Sequence, residues 1–423
     1  MGTVDTVMVG RLGAGPLAAV AVGNGLSLTV IVLGMGILLG LDPIVAQAFG
    51  AGRERDCGRA MRHGLVLALL IALPMMLMLS QARWVLAATG QPDAVVEGGS
   101  AYVLATIPGV IPFLVFTVFR QFLQGIGHVR PAMWIILGAN AINFVANWML
   151  IYGNAGAPAL GAAGAAWATT LSRTAMALAI AVYVFAQRDL RRFAVMAPRG
   201  PLDRALVVRI ARVGGPVGMQ LAMELGVFAA SSLLMGRLGT LALAGHQIAL
   251  NVCSVTFMVP LGLSATAAVR VGHALGRGDV QAARRAAHAC WALGLGFMTL
   301  SAICVGAWRA DLARLYTQDV DVVAMGAALL MIGAAFQIPD GGQTIGIGAL
   351  RGAADTRGPM WITIVGYWCV ALPLSWLLAF EVGLGPRGVW WGLTAGLSFV
   401  AIALATRFHR RVRPENLALL EAG

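Results

Sequence analysis

Long apolar runs separated by short polar segments make up most of this chain. An α-helix needs ~20 mainly apolar residues to cross the ~30 Å hydrocarbon core of a bilayer. The runs reach this length and lack the two-residue alternation of β-strands, so we predict membrane-spanning helices. Eleven such spans are predicted, at 23–48, 64–88, 100–124, 132–152, 161–186, 214–236, 247–271, 288–308, 322–345, 360–380 and 386–408.

The composition excludes an ordinary water-soluble enzyme. Hydrophobic residues make up 59% of the chain and charged residues 11%, against roughly 45–50% and about 25% in soluble domains. So few charges cannot cover the surface of a soluble protein, and the mean hydropathy of +0.81 agrees. The five cysteines form no CxxC pair, so we expect neither a disulfide framework nor a zinc site.

The arginines predict how the chain is oriented in the membrane. All 30 basic residues are arginine. If the loop containing Arg53 and Arg55 is cytoplasmic, alternation of the spans puts 23 arginines on that side and 6 on the other. This is the positive-inside pattern of a multi-pass membrane protein, here with a cytoplasmic C-terminus. It also accounts for the net charge of +12 without a nucleic-acid partner.

The chain repeats itself at an offset of 224 to 227 residues. Three blocks recur in the same order: 10–13 at 236–239, 123–134 at 350–361, and 161–167 at 385–391. We therefore predict two parallel six-helix repeats, an architecture common in transporters. The predicted organisation is an N-terminal lobe at 1–186, a cytoplasmic linker at 187–213, a C-terminal lobe at 214–408 and a cytoplasmic tail at 409–423.

The first helix of this repeat is short. Its apolar stub, Met1 to Gly10, would be only ~14 Å long at 1.5 Å per residue. The repeat aligns Met1 with Val227, well inside the corresponding helix of the second half. We therefore expect the first helix to be incomplete and roughly 20–30 further residues to precede Met1.

Three acidic residues fall within apolar segments: Asp5, Glu224 and Asp340. A charged side chain at a helix centre costs about 2.5–3.5 kcal/mol on insertion scales. An interfacial position or a paired arginine would lower that cost, but Glu224 and Asp340 have no arginine within a turn or two in the sequence. Asp42 is a weaker candidate, because it precedes Pro43 and a turn or helix cap explains it more simply.

These acids suggest ion coupling. A carboxyl group in a low-dielectric interior can bind a proton or a bare cation. Its charge is then available to a cationic ligand only when the coupling ion is absent, which is what an antiporter requires. Pro339 directly before Asp340 predicts a broken helix with an exposed carbonyl. Asn143 and Asn147 share a helix face, and they are either ligands that complete an oxygen cage with Asp5 or contacts between helices.

Several motifs resemble those of the multidrug and toxic compound extrusion (MATE) transporters, in particular the bacterial NorM-type branch. They are VDTVMVG at 4–10, PIVAQ at 43–47 with GAGR at 50–53, AGHQIALN at 244–251, RVGH at 270–273 and ALRGAADTR at 349–357. The resemblance implies a V-shaped, two-lobed, twelve-helix monomer in the bacterial inner membrane. Such a protein exports cationic, amphipathic, drug-like molecules in exchange for Na⁺ or H⁺, with no other cofactor.

The resemblance also assigns roles to individual residues. Asp5, Glu224 and Asp340 match family positions implicated in cation coupling, with a monovalent cation at Glu224 and Asp340. Phe336 stands where NorM-type members often have a tyrosine. A hydroxyl ligand is therefore expected to be missing, which weakens any inference of sodium preference.

Neutral polar residues form the rest of the implied site. Asn143 and Asn147 match polar positions of the fifth helix, one of which is acidic in some relatives, so the first-lobe site carries less charge here. Gln247 and Asn251, within the AGHQIALN motif, are candidate ligands for the cation or the substrate.

Three alternatives remain. A lipid-linked oligosaccharide flippase of the same superfamily should line its cavity with several arginines to hold a pyrophosphate, whereas the spans here offer acids. A membrane enzyme should show an HExxH, GxSxG or aspartate-rich motif; the sequence has none, so we expect no catalytic residues. A channel fits poorly with two similar halves that carry unequal acids.

Overall fold

The structure is a computed structural model that describes residues 2–195 and 202–416. Over these residues the chain is almost entirely helical and contains no strand. Arg199, one of the arginines predicted to be cytoplasmic, lies outside the described residues. The helices are α1 Gly2–Gly10, α2 Ala14–Leu38, α3 Leu41–Gly50, α4 Glu54–Ser80, α5 Ala82–Ala88, α6 Asp93–Thr106, α7 Val110–Gly125, α8 Arg130–Tyr152, α9 Gly161–Ala186, α10 Arg204–Arg237, α11 Thr240–Gly276, α12 Val280–Ala307, α13 Arg309–Arg314, α14 Val320–Gly352, α15 Arg357–Ile364, α16 Leu372–Trp376 and α17 Pro386–Arg411.

The prediction of eleven spans is confirmed. Within the described residues, eleven helical segments are long and apolar enough to cross a membrane. Their ends extend beyond the predicted runs: α10 begins at Arg204 rather than at 214, and α12 begins at Val280 rather than at 288. Part of the predicted linker is thus helical. The reason is that hydropathy detects only the apolar part of a helix, while polar first turns are stabilised by caps such as Asp279, which accepts from the Ala282 amide at 2.7 Å.

Some spans are irregular, and one predicted break is absent. The span predicted at 23–48 divides into α2 and α3, and a 3₁₀ turn at Ile107–Gly109 separates α6 from α7. Two π-helical segments, Val365–Ala371 and Leu377–Glu381, flank α16. In contrast, α14 is continuous through Pro339. The predicted broken helix is wrong because proline removes a single hydrogen bond, which neighbouring turns of a membrane helix tolerate.

The chain forms two compact units. The first consists of Met1–Leu41 with Arg53–Gly218, and the second of Asp42–Gly52 with Met219–Gly423. In the first unit α2 packs against α6, and α9 packs against α7 and α8. In the second unit α14 is central and packs against α11, α12 and α17. This division differs from the predicted lobes because most of α3 joins the second unit and the start of α10 joins the first.

The internal repeat recurs in the backbone geometry. Gly13 and Gly239, which end the repeated Gly-Arg-Leu-Gly block, have φ values of 113° and 117°. Gly161 and Gly385, which begin another repeated block, both have φ 56°. Such positive φ values favour glycine. Matching glycines therefore make matching turns in the two halves.

Candidate functional site

The first polar cluster surrounds Asp5, which is 2% exposed. Asn147 Nδ2 donates to Asp5 Oδ1 at 2.6 Å, and Thr169 Oγ1 donates to Asp5 Oδ2 at 2.8 Å. Asn147 Nδ2 also donates to Asn143 Oδ1 at 3.3 Å. The structure thus brings together Asp5, Asn143 and Asn147 as expected from the sequence, and it adds Thr169, which sequence reasoning missed.

Three helices of the first unit build this cluster. Helix α1 carries Asp5 and packs against α8 and α9. Asn143 and Asn147 lie one turn apart on a fully buried face of α8. Asn147 Oδ1 is also buried, and the described residues give it no hydrogen-bond partner. The amides therefore join helices through Asp5, and one amide oxygen remains available to a cation. The ligand role itself stays a prediction.

A buried arginine accompanies Asp5. Arg173 follows Thr169 by one turn on α9, and its guanidinium lies 5.1 Å from the centre of the Phe113 ring. It is within electrostatic range of Asp5. The negative charge of Asp5 is therefore partly balanced by Arg173 and by two hydrogen-bond donors.

The second polar cluster joins Glu224 and Asp340 through one amide group. Gln343 Nε2 donates to Glu224 Oε1 at 3.4 Å and to Asp340 Oδ1 at 3.3 Å. The Tyr367 hydroxyl donates to Glu224 Oε1 at 3.3 Å. Asp340, Gln343 and Tyr367 are buried, and Glu224 is half-buried. Two carboxylates that share a single neutral donor occupy one small region of the second unit.

Each element of this cluster has a simple local basis. Asp340 and Gln343 are three residues apart on α14 and therefore neighbours on its surface. Glu224 lies on α10. Tyr367 lies in the π-helical segment Val365–Ala371, and a π-helical turn is often found at functional sites, where it redirects side chains. Sequence reasoning missed Gln343 and Tyr367, because neutral polar groups are common in membrane helices.

The site contains a hydroxyl group, although Phe336 does not supply it. Phe336 is indeed apolar and buried, with its ring edge-on to Trp390 at 5.3 Å and to Phe228 at 6.4 Å between centroids. The hydroxyl comes instead from Tyr367, on a different segment. The sequence could not show this, because Tyr367 reaches Glu224, 143 residues away in the chain, only through the packing of the second unit.

Gln247 and Asn251 differ from Asp340 in exposure. Both side chains are exposed on α11, and Asn251 Nδ2 donates to the backbone oxygen of Gln247 at 2.8 Å. The buried face of α11 carries His246 and Cys253 instead. The helical period therefore points Gln247 and Asn251 away from the buried face of α11. A cation-binding or substrate-binding role for them stays a prediction.

Asp42 is fully buried in an ion pair rather than acting only as a cap. Its Oδ2 lies 3.5 Å from Arg351 Nε at the end of α14. Nearby, Gln47 Nε2 donates to the backbone oxygen of Gly352 at 3.0 Å. Asp42 thus anchors α3 within the second unit, and we do not include it among the coupling acids.

The acidic pair is suited to a hard cation or a proton. It offers two carboxylates, the Tyr367 hydroxyl, and Gln343 Oε1, which is buried and has no hydrogen-bond partner among the described residues. Oxygen ligands of this kind suit hard cations. Across the described part of the chain, no three His, Cys, Asp or Glu side chains converge in a metal-binding group. A cation here would need neutral oxygens as well as the two carboxylates.

Comparisons with known proteins agree with this architecture. The MatE family model matches residues 1–149 and 216–377. The chain is 39% identical over 415 residues to a probable multidrug resistance protein NorM from Bradyrhizobium diazoefficiens, covering 97% of this chain and 89% of the relative. It is 34% identical over 411 residues to the multidrug resistance protein NorM of Aliivibrio fischeri, covering 96% and 89%. A crystal structure of a MATE protein in the bent conformation superposes with a TM-score of 0.91 at 21% identity, covering 100% of this chain and 92% of that one.

Proposed function

This chain belongs to the MatE family, and we propose that it is a multidrug efflux antiporter that exports cationic amphipathic compounds in exchange for Na⁺ or H⁺. The names of its relatives support drug export. One observation carries the coupling role: Glu224 and Asp340 share a single amide donor, Gln343 Nε2, inside a bundle of spanning helices. Two neighbouring carboxylates in a low-dielectric interior favour binding of a proton or a cation.

The two states of this pair explain exchange. When the coupling ion is bound, its single positive charge offsets one of the two negative charges of the pair, and a bound Na⁺ would have Gln343 Oε1 and the Tyr367 hydroxyl as further oxygen ligands. When the ion leaves, the negative charge favours a cationic substrate. Because ion and substrate draw on the same charge, each weakens the binding of the other, as linkage requires. The cycle needs no covalent change in the substrate, so we assign no catalytic residues.

We assign the principal coupling site to the second unit. Asp5 in the first unit has Arg173 within electrostatic range and accepts hydrogen bonds from Asn147 and Thr169. The contacts of Glu224 and Asp340, in contrast, come from neutral donors. The need for a cation is therefore greater at the second pair. Asp5, with the Asn147 amide oxygen, is a secondary cation site in this proposal.

Efflux of a cationic dye such as ethidium tests the proposal. Inside-out membrane vesicles would receive a Na⁺ gradient in one experiment and a pH gradient in another. We expect Glu224→Gln and Asp340→Asn each to abolish gradient-driven transport. Asp311→Asn is the matched control, because Asp311 is an exposed acid paired with Arg314 at 2.9 Å, and it should transport normally.

Two further readouts complete this experiment. Immunoblots of the membrane fraction should show equal amounts of all variants, so that a loss of transport is not a loss of protein. A neutral analogue of the dye should be exported poorly, because it gains nothing from the acidic pair. Full transport by both Glu224→Gln and Asp340→Asn would refute the coupling role.

A further inference from the structure

A surface groove of about 680 Å³ runs along α17 beside α15 in the second unit. One end is apolar, with Phe399 and Ile402 exposed to 44% and 69%. The other end is lined by Arg407, Arg410 and Arg411 at the C-terminal end of α17. The volume is within the ~300–1,000 Å³ typical of small-molecule sites. The groove is therefore amphipathic along its length.

At the basic end, Arg407 is held in place by an acidic partner. Arg407 makes a two-point contact with Asp355, through Nε to Oδ2 at 2.7 Å and Nη2 to Oδ1 at 3.1 Å. Its guanidinium also covers Gly358, where a Cβ atom would collide with it. Asp355 pairs with Arg407, and the guanidinium groups of Arg410 and Arg411 line the same end. This end is thus suited to an anion.

The fold itself does not require these arginines. At the offset of 224 residues that relates Gly161 to Gly385, the positions of Arg407, Arg410 and Arg411 correspond to Tyr183, Ala186 and Gln187 in the first half. The first half forms the corresponding helix α9 without any charge at these three positions. In the first half the nearest arginines, Arg188, Arg191 and Arg192, come only after α9 has ended. The two halves therefore differ at these three positions of the helix.

The length of the groove matches one leaflet of a bilayer. Twelve residues separate Phe399 from Arg411, which is ~18 Å along the helix at 1.5 Å per residue. One leaflet contributes about half of the ~30 Å hydrocarbon core. The exposed apolar face of a spanning helix contacts acyl chains, and basic pockets between such helices bind anionic headgroups.

We propose that this groove binds an anionic phospholipid, with its phosphate at Arg407, Arg410 and Arg411 and an acyl chain along Phe399 and Ile402. The phosphate accepts hydrogen bonds from guanidinium groups, which suit its geometry. The acyl chain packs against the apolar side chains of Phe399 and Ile402. This site is separate from the acidic pair and does not depend on the transport activity.

Lipid retention by the purified protein tests this site. The protein in detergent is titrated with phosphatidylglycerol, cardiolipin or phosphatidylcholine, and bound lipid is counted by native mass spectrometry. We expect the wild type to retain the two anionic lipids over phosphatidylcholine. The double variant Arg410→Gln/Arg411→Gln should bind them roughly 10- to 30-fold more weakly, since each arginine near an anionic surface contributes on the order of a fivefold effect.

Three variants separate the alternatives. Arg410→Lys/Arg411→Lys keeps the charge and should retain most binding. Arg277→Gln/Arg285→Gln removes two exposed arginines outside the groove and should bind as the wild type does. Ile402→Gln should weaken lipid binding through the apolar end.

Equal retention by the Arg410/Arg411 and Arg277/Arg285 glutamine variants would overturn the proposal, as would equal retention of phosphatidylcholine by the wild type. Saturation by inorganic phosphate alone would also overturn it.

Discussion

At the scale of single residues, Gln343 holds the second polar cluster together. Its Nε2 group donates to both Glu224 and Asp340, and a hydrogen bond to a charged group contributes about 1.5–3 kcal/mol. We expect Gln343→Leu, which is similar in size but apolar, to weaken apparent affinity for the coupling ion roughly 10-fold or more. The measurement is the dependence of dye efflux on Na⁺ concentration and on pH.

A second glutamine on the same helix provides the control for Gln343→Leu. Gln337 is also fully buried on α14, but its Oε1 accepts from Ser301 at 2.6 Å rather than serving the acids. Gln337→Leu should leave the ion dependence unchanged even if it lowers the amount of folded protein. Equal ion affinities in both variants would contradict the bridging role of Gln343.

Ala354 carries backbone strain that its counterpart avoids. It has φ 58°, whereas Gly127, at the equivalent position of the first half, has φ 82°. A left-handed conformation costs a non-glycine residue roughly 1–2 kcal/mol. We therefore expect Ala354→Gly to stabilise the protein by about 1 kcal/mol, measured as a higher Tm in detergent. Ala353→Gly, at an ordinary φ of −83°, should lower the Tm instead.

The sequence predicts the acidic residues of the site better than their neutral partners. Asp5, Glu224 and Asp340 were identifiable because a charge in an apolar span is expensive and therefore conspicuous. Thr169, Gln343 and Tyr367 were not, because a neutral polar side chain in a span carries little cost and only packing shows which acid it contacts. For the same reason, the apolar Phe336 gave no indication that Tyr367 supplies a hydroxyl group to Glu224.

At the scale of helices, α2 and α10 cross through glycines within the first unit. Gly36 on α2 faces Gly218 on α10, and Gly40, in the turn just after α2, faces Gly214, so that each pair is spaced four residues apart. A Cβ atom on any of the four would meet backbone atoms of the opposite helix. This reciprocal GxxxG contact lets the two backbones approach closely, as in other membrane helix pairs.

Adjacent glycines on α10 allow a matched test of this crossing. Gly214 lies against the Ile37 backbone, whereas a Cβ atom at Gly215 would have open space. We expect Gly214→Val to separate the helices and destabilise the protein by several kcal/mol, since overpacking alone costs about 1–3 kcal/mol. Gly215→Val should have little effect. Equal Tm values for the two variants in detergent would argue against the crossing.

Hydropathy located the helices but not their ends or their irregularities. All eleven spans were predictable because each contains an apolar run long enough to cross a bilayer. The polar start of α10 at Arg204 is invisible to such a pattern. Pro339 suggested a break that packing of the continuous α14 prevents, and no proline in the run Val365–Ala371 signals its π-helical geometry.

At the scale of the whole molecule, the internal repeat and the arginine distribution together predict orientation. The repeat relates segments on the same side of the membrane, so an offset that joins loop to loop implies parallel halves. With 23 arginines on one predicted side and 6 on the other, inversion would place the basic loops outside. Translocating that many charges is strongly disfavoured. We therefore expect the C-terminal end of α17 to be cytoplasmic.

Single cysteines in a background without the native ones test this orientation. The native Cys369 is exposed and would itself react with a thiol reagent. All five native cysteines are therefore replaced first. Leu384→Cys, at an exposed position before α17, should react with a membrane-impermeant maleimide in intact cells. Arg285→Cys, exposed on α12 in a predicted cytoplasmic region, should react only after permeabilisation. Reaction of the cysteine at 285 in intact cells, with protection of the one at 384, would invert the topology. In that case the lipid-binding groove would face the outer leaflet.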